Sequence, residues 1–370
     1  MRVSANTSPG FGGSLGRMSR HAAQIPREAD RGSADDAPGE PVRLVEVARL
    51  AGVSSMTVSR ALRRPEQVAP ATLRAVQRAV AALGYLPHGS ASALASSRTR
   101  VVAAIVPTLM NSVYASTVHG LSSVLRPAGY ELMIGDSGYD PAVETALVRS
   151  FLGRRVDALV LTGVVHGAET RMLLARHRLP VVEIWDLTTK PIDMVVGFSN
   201  VAAGRAAGHF LASRGRRRWG FVGTAPDRED RSGKRLKGLR EAARAAGVAA
   251  PLTAYVSDGM SAAAGYDAAR ALLARHAGVD AIFCANDALA TAALRAVADA
   301  GQAVPDDVAV LGFGDFDVAA HTRPALSTIR IPGDAIGRGA AQALVARLDG
   351  QPSGDATLEV GFEIVARESV

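Results

Sequence analysis

The side chains best suited to recognising another molecule lie on one face of the segment Ser55–Arg63. Apolar Val58, Ala61 and Leu62 fall together at helical spacing, so the segment forms an amphipathic helix whose other face is polar and basic. On that outer face, the guanidinium of Arg60 can donate two hydrogen bonds to guanine O6 and N7 in the DNA major groove. The chemistry that this pattern indicates is the reading of base edges.

Two neighbouring helices must hold this helix in place. The apolar positions of residues 44–51 are spaced for a short helix that Gly52 ends, because glycine adopts a positive φ at low cost. Ser54 is a good N-cap for the second helix. A third amphipathic helix follows from about Pro70 to Leu83, closed by Gly84. These elements predict a three-helix unit with a helix-turn-helix; the first two helices alone are also compatible with a packed helical hairpin.

Positive charge is concentrated on the same segment. The chain carries a net charge of +7, and residues 41–100 contain nine arginines and two acidic residues. Basic and acidic residues balance at five each in residues 1–40 and at 28 each in residues 101–370. A localised basic patch is typical of phosphate binding. The balance elsewhere argues against nucleic-acid binding by the rest of the chain.

Length and composition exclude several classes of protein. A chain of 370 residues is long enough for more than one domain. It has no apolar run long enough to cross a bilayer and no N-terminal signal pattern. A single cysteine, Cys284, excludes an internal disulfide framework and fits a reducing cytoplasm. No histidine and cysteine cluster has metal-ligand spacing, so we expect no metal and no cofactor.

Two segments lack hydrophobic periodicity. Residues 1–40 are rich in glycine, serine, alanine and proline, and we expect a disordered tail. Residues 87–99 form a linker in which Leu94 is the one large apolar side chain. That linker is either a plain flexible tether or a hinge helix that inserts Leu94 between base pairs from the minor groove.

From Val101 onward, short apolar runs alternate with amphipathic helices. This alternation predicts doubly wound parallel sheets, with enough strands for two, divided near residues 197–200. Ligands of such folds lie beyond the carboxyl ends of the strands, here in the cleft between the halves. The expected strands are 101–106, 130–134, 158–161, 181–184, 219–222, 281–284 and 308–312. The expected helices include 114–125, 142–152, 202–214, 238–245, 262–275 and 288–300.

Several sequence motifs resemble those of the LacI/GalR family of bacterial transcriptional repressors. They are VRLVEVARLAGVSSMTVSRAL, GYLPH, VPDDVAVLGFGDFD and PALSTIRIP. The likeness runs from about Pro41 to the C-terminus. Within the family, MTVSRALRRPEQV, LMNSVYA, the Gly-Tyr-Asp of residues 138–140 and LPVVEIWD followed by IDMVVGF resemble the gluconate-operon repressors.

The resemblance implies an all-α helix-turn-helix headpiece, residues 41–86, followed by an α/β core, residues 100–370. That core would hold two doubly wound parallel-sheet subdomains of the type I periplasmic-binding-protein kind. The first would comprise 100–198 and 328–355, and the second 199–327 and 356–370. The implied partners are a palindromic double-stranded operator, a small sugar or sugar-acid effector and a second copy of the chain. Because no extra C-terminal helix follows the last strand, we expect a cytoplasmic, nucleoid-associated homodimer rather than a tetramer.

The resemblance also assigns the DNA-contacting residues. Ser55, Met56, Ser59 and Arg60 would read bases, while Thr57 and Thr72 would contact phosphates, which position a protein without specifying sequence. Leu94 matches the intercalating leucine of the family. The full expected set is Ser55, Met56, Thr57, Ser59, Arg60, Arg63, Thr72, Tyr85, His88 and Leu94.

An anionic, hydroxyl-rich effector needs a cation for its carboxylate and several hydrogen-bonding groups. Arg235 matches the ligand-binding arginine of the family best and Arg231 is second, although this basic run could also be a solvated loop. Asn286 and Asp287 match a ligand-binding pair, although either could be a helix N-cap. Gly314 stands where some sugar-binding members carry an aspartate, which would repel an anion. The expected effector-binding residues are Thr108, Asn111, Tyr114, Asp136, Thr162, Trp185, Asp186, Arg231, Arg235, Asn286 and Asp287.

Two other functions fit parts of the sequence. A sugar-binding transport protein would share the two-subdomain core, but the chain lacks a signal peptide and carries a basic headpiece. An NAD-dependent enzyme could use a doubly wound fold, but no Gly-x-Gly-x-x-Gly follows a strand and no catalytic pair stands out. We therefore expect a non-enzymatic regulator with gluconate, or another aldonic or keto-aldonic acid, as effector, acting as inducer or as corepressor.

Overall fold

We describe the fold from a computed structural model. It describes residues 42–85, 98–109, 112–225, 229–256, 261–351 and 356–370. The chain divides into two compact units, one that ends at residue 86 and one that begins at residue 87. The expected disordered tail lies outside the described residues, as does nearly all of the expected hinge.

The first unit is a three-helix headpiece built as its amphipathic pattern predicts. Its helices are α1 (Leu44–Ala51), α2 (Ser55–Arg63) and α3 (Pro70–Leu83), and a short 3₁₀ turn (Pro65–Gln67) precedes α3. Gly52 and Gly84 end α1 and α3 in the left-handed conformation, with φ of 67° and 61°. Ser54 caps α2, because its Oγ accepts the Thr57 backbone N–H at 3.2 Å. Apolar side chains from all three helices form the core of this unit.

The second unit begins with a six-stranded parallel sheet. Its strands are β1 (Val101–Val106), β2 (Glu131–Asp136), β3 (Ala158–Thr162), β4 (Val181–Ile184), β5 (Met194–Gly197) and β11 (Thr357–Glu359), in the spatial order β11-β5-β4-β3-β1-β2. Successive side chains of β1 point to opposite faces, so Val102 and Ala104 join one apolar cluster while Ala103 and Ile105 join another. Helices therefore cover both faces of the sheet.

A second parallel sheet has four strands in the order β7-β6-β8-β9. They are β6 (Trp219–Thr224), β7 (Leu252–Val256), β8 (Ala281–Cys284) and β9 (Ala309–Leu311). A small antiparallel sheet pairs β10 (Thr328–Arg330) with β12 (Glu363–Val365). One continuous apolar cluster contains residues of both large sheets. The predicted architecture, a helix-turn-helix headpiece and an α/β core with two parallel sheets, is confirmed.

The helices of the core lie between the strands, as expected for doubly wound sheets. They are α4 (Ser112–Leu125), α5 (Pro141–Gly153), α6 (Ala168–His177), α7 (Asn200–Ser213), α8 (Asp230–Ala245), α9 (Ala262–Arg275), α10 (Asp287–Asp299) and α11 (Gly333–Leu348). None of the described helices is both long and apolar enough to cross a bilayer. No three metal-ligating side chains cluster among the described residues.

The pairing of β11 corrects one expected boundary. Residues 356–370 were expected in the second subdomain, but Thr357–Glu359 pairs in parallel with β5 of the first sheet. After that strand the chain returns to the second sheet, where Ser369 donates its backbone N–H to Ala325 and its hydroxyl to the Val310 carbonyl. A three-residue, exposed edge strand has no apolar run to reveal it in the sequence.

Helix α8 also begins earlier than expected. The sequence predicts a helix over 238–245, whereas α8 starts at Asp230. Its first two turns are basic and contain Gly233, so they lack the apolar periodicity from which helices are predicted. This difference matters, because it moves Arg231 and Arg235 from a loop onto a helix.

Candidate functional site

The outer face of α2 carries the expected base-reading side chains. Arg60 and Arg63 are exposed in the last turn of the helix. Met56 is 72% exposed, which is unusual for a large apolar side chain and leaves it available to a partner. Ser55 and Ser59 are half-buried beside them. The helix therefore presents both cationic and small polar groups to solvent.

Five other residues were expected to contact DNA. Tyr85 is a correction, because it is only 7% exposed and packs in the apolar core of the headpiece. Its ring closes the three-helix bundle instead of joining the exposed face. Thr57 and Thr72 are half-buried at the surface, and the Thr57 hydroxyl shares a 2.9 Å hydrogen bond with Ser54. His88 and Leu94 lie outside the described residues.

A cavity lies in the second unit where the carboxyl ends of both large sheets meet. Trp185 follows β4, and Phe313 follows β9. The cavity is small, about 30 Å³, which is room for one or two water molecules. A sugar-sized ligand must therefore separate its walls to enter. It is lined by Tyr114, Tyr139, Trp185, Glu229, Arg231, Arg235, Ala285, Asn286, Phe313, Gly314 and Phe316.

The first two turns of α8 bring two arginines into this cavity. Arg231 and Arg235 are four residues apart and so share one helix face. They are 6% and 5% exposed, which excludes the alternative of a solvated basic loop. Close contact with α7 holds this face inward, because a Cβ at Gly204 would overlap the Arg235 carbonyl and one at Gly238 would overlap the Val201 carbonyl.

Glu229 lies between the two guanidinium groups. It caps α8 by accepting the backbone N–H of Arg231 at 3.2 Å and of Ser232 at 2.7 Å. Its Oε1 also accepts Arg231 Nε at 2.6 Å, and its Oε2 lies 3.7 Å from Arg235 Nη2. Burial raises the pKa of Glu229, but the two neighbouring cations lower it by a larger amount. The pKa of this carboxyl group therefore falls below its usual value. Two cations and one carboxylate give this wall one net positive charge.

Two side chains from outside α8 hold Arg235 in place. Its guanidinium carbon lies 4.2 Å from the centre of the Phe313 ring, a cation–π contact. Its Nη1 donates to Asn200 Oδ1 at 2.6 Å. Its Nε is buried and has no hydrogen-bond acceptor among the described residues. A buried N–H without an acceptor is costly, so this group favours a ligand that supplies an oxygen.

The opposite wall is aromatic and comes from the first sheet. The rings of Tyr114 and Trp185 are 5.0 Å apart, and Trp185 Nε1 donates to Thr117 Oγ1 at 3.1 Å. Tyr139 and Trp185 both have positive φ, 62° and 70°, which is strained for residues with a Cβ and is common at functional sites. Burial raises the pKa of Tyr139 well above its usual value, so its hydroxyl remains a donor.

Three contacts cross from one half of the core to the other. Arg231 Nη1 donates to the Tyr114 hydroxyl at 3.4 Å. Lys234 forms an ion pair with Asp186. Burial lowers the pKa of Lys234, but its hydrogen bonds to Asp186 and Asp230 raise it by more, so the net pKa is raised. Asp186 in turn accepts Asn200 Nδ2 at 3.1 Å. These polar contacts hold the cleft in the closed arrangement seen here.

The structure places five of the expected effector residues on the cavity wall: Tyr114, Trp185, Arg231, Arg235 and Asn286. Asn286 is also the N-cap of α10, because its Oδ1 accepts the Leu289 N–H at 2.8 Å. The N-cap interpretation of this residue is therefore confirmed, and its place on the cavity wall is compatible with ligand binding as well. Asn111 lies outside the described residues.

The remaining expected residues do not line this cavity. Asp287 is fully buried and accepts Thr328 Oγ1 and the Phe316 N–H, both at 2.6 Å. Burial raises its pKa to about 6. Asp136 accepts the backbone N–H groups of Leu109 and Gly138. These carboxylates stabilise loops at the strand ends and, contrary to expectation, do not line this cavity.

Asp186, Thr162 and Thr108 also lie off the wall of this cavity. Asp186 instead accepts the cross-cleft contacts described above. Thr162 donates to the Ile105 carbonyl at 2.9 Å and borders a neighbouring cavity of about 160 Å³. Thr108 is half-buried in the loop after β1.

Sequence reasoning missed Glu229, Tyr139, Phe313 and Phe316. No local sequence pattern identifies these residues. Each lies in a loop, and the path of that loop, rather than any periodicity, brings the side chain to the cavity. The available signals were weak: Tyr139 lies in a Gly-Tyr-Asp turn, and Glu229 stands directly before the basic run.

Comparisons with known proteins agree with this architecture. Residues 43–88 match the family described as "Bacterial regulatory proteins, lacI family", and residues 209–370 match the "Periplasmic binding protein-like domain". The chain is 40% identical to the HTH-type transcriptional regulator GntR of Pseudomonas aeruginosa, over 90% of this chain and 96% of that protein. It is 32% identical to the GntR regulator of Escherichia coli, over 87% and 96%.

A solved structure gives the same result. The chain is similar to a LacI family transcriptional regulator from Silicibacter pomeroyi, with 32% sequence identity and a TM-score of 0.83. The match covers 89% of this chain and 99% of that one. Headpiece and core are therefore both shared with this relative.

Proposed function

The chain belongs to the lacI family of bacterial regulatory proteins, and from this premise we propose that it is a repressor whose operator binding is controlled by a sugar acid. The first candidate effector is gluconate. The protein acts as a homodimer, so that two copies of α2 read the two halves of a palindromic operator. No catalytic role is proposed.

The observation that carries the effector assignment is the charge of the cavity wall. Buried Arg231 and Arg235 provide two cations, and Glu229 cancels one of them. One net positive charge in a low-dielectric site suits a ligand with a single carboxylate. Tyr139, Asn286 and the aromatic rings provide the hydrogen bonds and apolar surface that a polyhydroxylated chain needs. A neutral sugar would leave this charge unmatched, and a dianion would exceed it.

The names of the relatives support the same class of ligand. Two of them are called GntR, and the sequence motifs resemble those of the gluconate-operon repressors. Gly314 leaves the cavity without an acidic side chain at that position, which removes a source of repulsion from an anion. A transport protein without regulatory role is the second candidate, but it would have no use for the exposed arginines of α2.

The cross-cleft contacts suggest how the effector acts on DNA. A ligand that binds between the two walls must change the spacing of Arg231 and Tyr114, which now touch directly. That change alters how the first subdomain, and with it the linker to each headpiece, is oriented in the dimer. Effector binding then lowers operator affinity. Because the coupling is reciprocal, operator DNA lowers effector affinity by the same factor.

The DNA-binding half of the proposal is tested by selection from a random-sequence duplex pool with the full-length protein. We expect enrichment of one palindrome, which should recur upstream of genes for sugar-acid uptake or oxidation. A pool that stays random after repeated rounds, with and without gluconate, would refute the repressor assignment.

The effector half is tested by calorimetry with three ligands of similar size and different charge. We expect gluconate, a monoanion, to bind more tightly than neutral glucose and more tightly than the dianion glucarate. Binding of gluconate should also lower operator affinity in the same buffer. Equal affinity for glucose and gluconate would contradict the charge argument while leaving the repressor assignment intact.

A further inference from the structure

Basic and acidic residues are balanced over the core as a whole, but one edge of its first sheet is rich in arginine. The strands of the first sheet are parallel, so their amino ends share one edge, opposite the cleft. The connections that reach this edge from the preceding helices and from the linker carry eight arginines. We call this surface the basic edge. Its arginines are Arg98, Arg100, Arg126, Arg154, Arg155, Arg176, Arg178 and Arg347.

The acidic residues of the same connections do not neutralise this charge. They number four among the described residues: Glu131, Asp157, Asp193 and Asp349. Asp193 and Asp349 pair with Arg347 and Arg98. The Asp157 carboxylate accepts the backbone N–H of Thr99 at 2.9 Å and of Arg100 at 2.7 Å.

Six arginines remain without an ion pair among the described residues. Arg126, Arg154, Arg155, Arg176 and Arg178 are exposed at the ends of α4, α5 and α6. Arg100 is also exposed, and its guanidinium lies 5.1 Å from the centre of the Tyr130 ring. The edge therefore presents unneutralised cations to solvent.

The linker to the headpiece leaves the core at this same edge. Arg98 donates to the Leu348 carbonyl at the end of α11, and β1 starts three residues later. Twelve residues, 86–97, separate the described headpiece from the described core, and they can span at most about 40 Å. DNA bound by the headpiece is consequently tethered within reach of the basic edge.

We propose that the basic edge binds the phosphate backbone of the DNA next to the operator half-site. This inference rests on the proposed repressor function and adds a second, sequence-independent contact to it. Exposed guanidinium groups release condensed counterions when they meet phosphates, which strengthens binding to any duplex. Because phosphates carry no base identity, the edge contributes affinity and salt dependence but no discrimination.

The competing explanation is that these arginines only complement helix dipoles, since cations are favourable at helix C-termini. The second sheet supplies a matched set to separate the two. Arg214, Arg244 and Arg275 are exposed at the ends of α7, α8 and α9, away from the linker. They share the helix-end location of the basic-edge arginines but not their closeness to the linker.

The test compares two triple variants of the full-length protein. One is Arg126→Gln, Arg154→Gln and Arg178→Gln on the basic edge, and the other is Arg214→Gln, Arg244→Gln and Arg275→Gln. Fluorescence anisotropy measures binding to a 60-bp random-sequence duplex and to one that carries the selected operator, over a range of salt concentrations. Calorimetry with gluconate checks that the effector cavity is unchanged.

We expect the basic-edge variant to lose about 0.9 in the log–log salt slope for each phosphate contact removed, and roughly tenfold or more in affinity near 0.1 M salt. The loss should be equal for the two duplexes, and the second variant should match the wild type. Unchanged slopes in the basic-edge variant, or equal losses in both variants, would overturn the proposal.

Two further outcomes separate a failure of folding, or of the repressor function, from a failure of this proposal. Should the triple variant fail to fold, Arg126→Gln and Arg178→Gln alone should each lower the slope by about 0.9. Should the wild type show no operator preference, the repressor function fails. The random duplex would still report whether the basic edge binds phosphates.

Discussion

The guanidinium of Arg235 stacks on the ring of Phe313, with its carbon 4.2 Å from the ring centre. Arg235 reaches this position from α8, whereas Phe313 follows β9, so the contact joins two connections of the second sheet at the cavity. A stacked guanidinium has a fixed plane and can present its N–H groups to a carboxylate in a defined direction. Arg235 is therefore the cation that we expect to bind the effector carboxylate.

Replacing Arg235 with glutamine should weaken gluconate binding roughly 10- to 100-fold, the cost of a charge-assisted hydrogen bond. Calorimetry measures the affinity. The variant removes the cation that would face the ligand carboxylate but leaves the headpiece untouched, so operator affinity without effector should stay within about twofold of the wild type.

The matched control is Arg240→Gln, an exposed arginine five residues further along the same helix. It should change neither affinity. If both variants bind gluconate like the wild type, the effector carboxylate does not lie at Arg235.

The ion pair between Lys234 and Asp186 should favour the closed cleft. Lys234→Met and Asp186→Asn each remove it, and because the Lys234 side chain is 29% exposed, the effect should be moderate. Because a ligand must separate the walls that this pair holds together, we expect gluconate affinity to rise a few-fold in each variant and no further in the double variant, as calorimetry on the four proteins of the cycle would measure.

A second ion pair joins α7 and α8 away from the cleft. Arg205 Nη2 lies 2.6 Å from Glu241 Oε2, so Arg205→Met is the control and should leave gluconate affinity unchanged. Additive changes in the double variant of Lys234 and Asp186 would show that the two residues do not act as a pair.

Sequence patterns predicted the framework of this protein better than its site. Helices α1 to α3 and strands such as β1 have regular apolar spacing, which depends only on neighbouring residues. The strands β5, β7, β10, β11 and β12 were absent from the expected set. Several of them are only three or four residues long, so periodicity could not distinguish them from loops.

The residues that line the cavity were harder to predict from the sequence than the strands and helices. Arg235 could be predicted because a cation was required, yet its partner Glu229 could not, since their contact depends on where α8 begins. Asp287 was misassigned because a carboxylate after a strand can face a ligand or the loop backbone. Only the positions of Phe316 and Thr328 determine which of the two occurs.

His166 should make the stability of the core depend on pH. Its ring is buried, with Nδ1 2.9 Å from Glu144 Oε1 and Nε2 3.4 Å from Glu183 Oε1. Burial lowers the pKa of His166, but the two carboxylates raise it more, from 6.5 to about 9. The folded state therefore retains a proton that the unfolded chain loses above pH 6.5.

Stabilisation from this proton should be complete below about pH 6.5 and should decrease as the pH rises through about 9. The loss is on the order of 3 kcal/mol, because each tenfold difference in proton affinity between the folded and unfolded states contributes about 1.4 kcal/mol. Urea unfolding at pH 6.5 and pH 9.5 measures it. His166→Gln should remove most of this difference, whereas exposed His209→Gln should keep it; an unchanged difference in His166→Gln would assign the pH dependence to other groups.

Arg60 should determine operator specificity. It is exposed in the last turn of α2, where a guanidinium can reach guanine O6 and N7. Arg60→Ala should reduce affinity for the selected operator roughly 10- to 150-fold, the value of one bidentate base contact, while weak salt-sensitive binding to random duplex persists. Arg78→Ala, which removes an exposed arginine from α3 of the same headpiece, is the control and should preserve the ratio of operator to random affinity. Anisotropy with both duplexes gives that ratio directly. A ratio that is unchanged in Arg60→Ala and lowered in Arg78→Ala would move base reading from α2 to α3 and would require a different orientation of the headpiece on DNA.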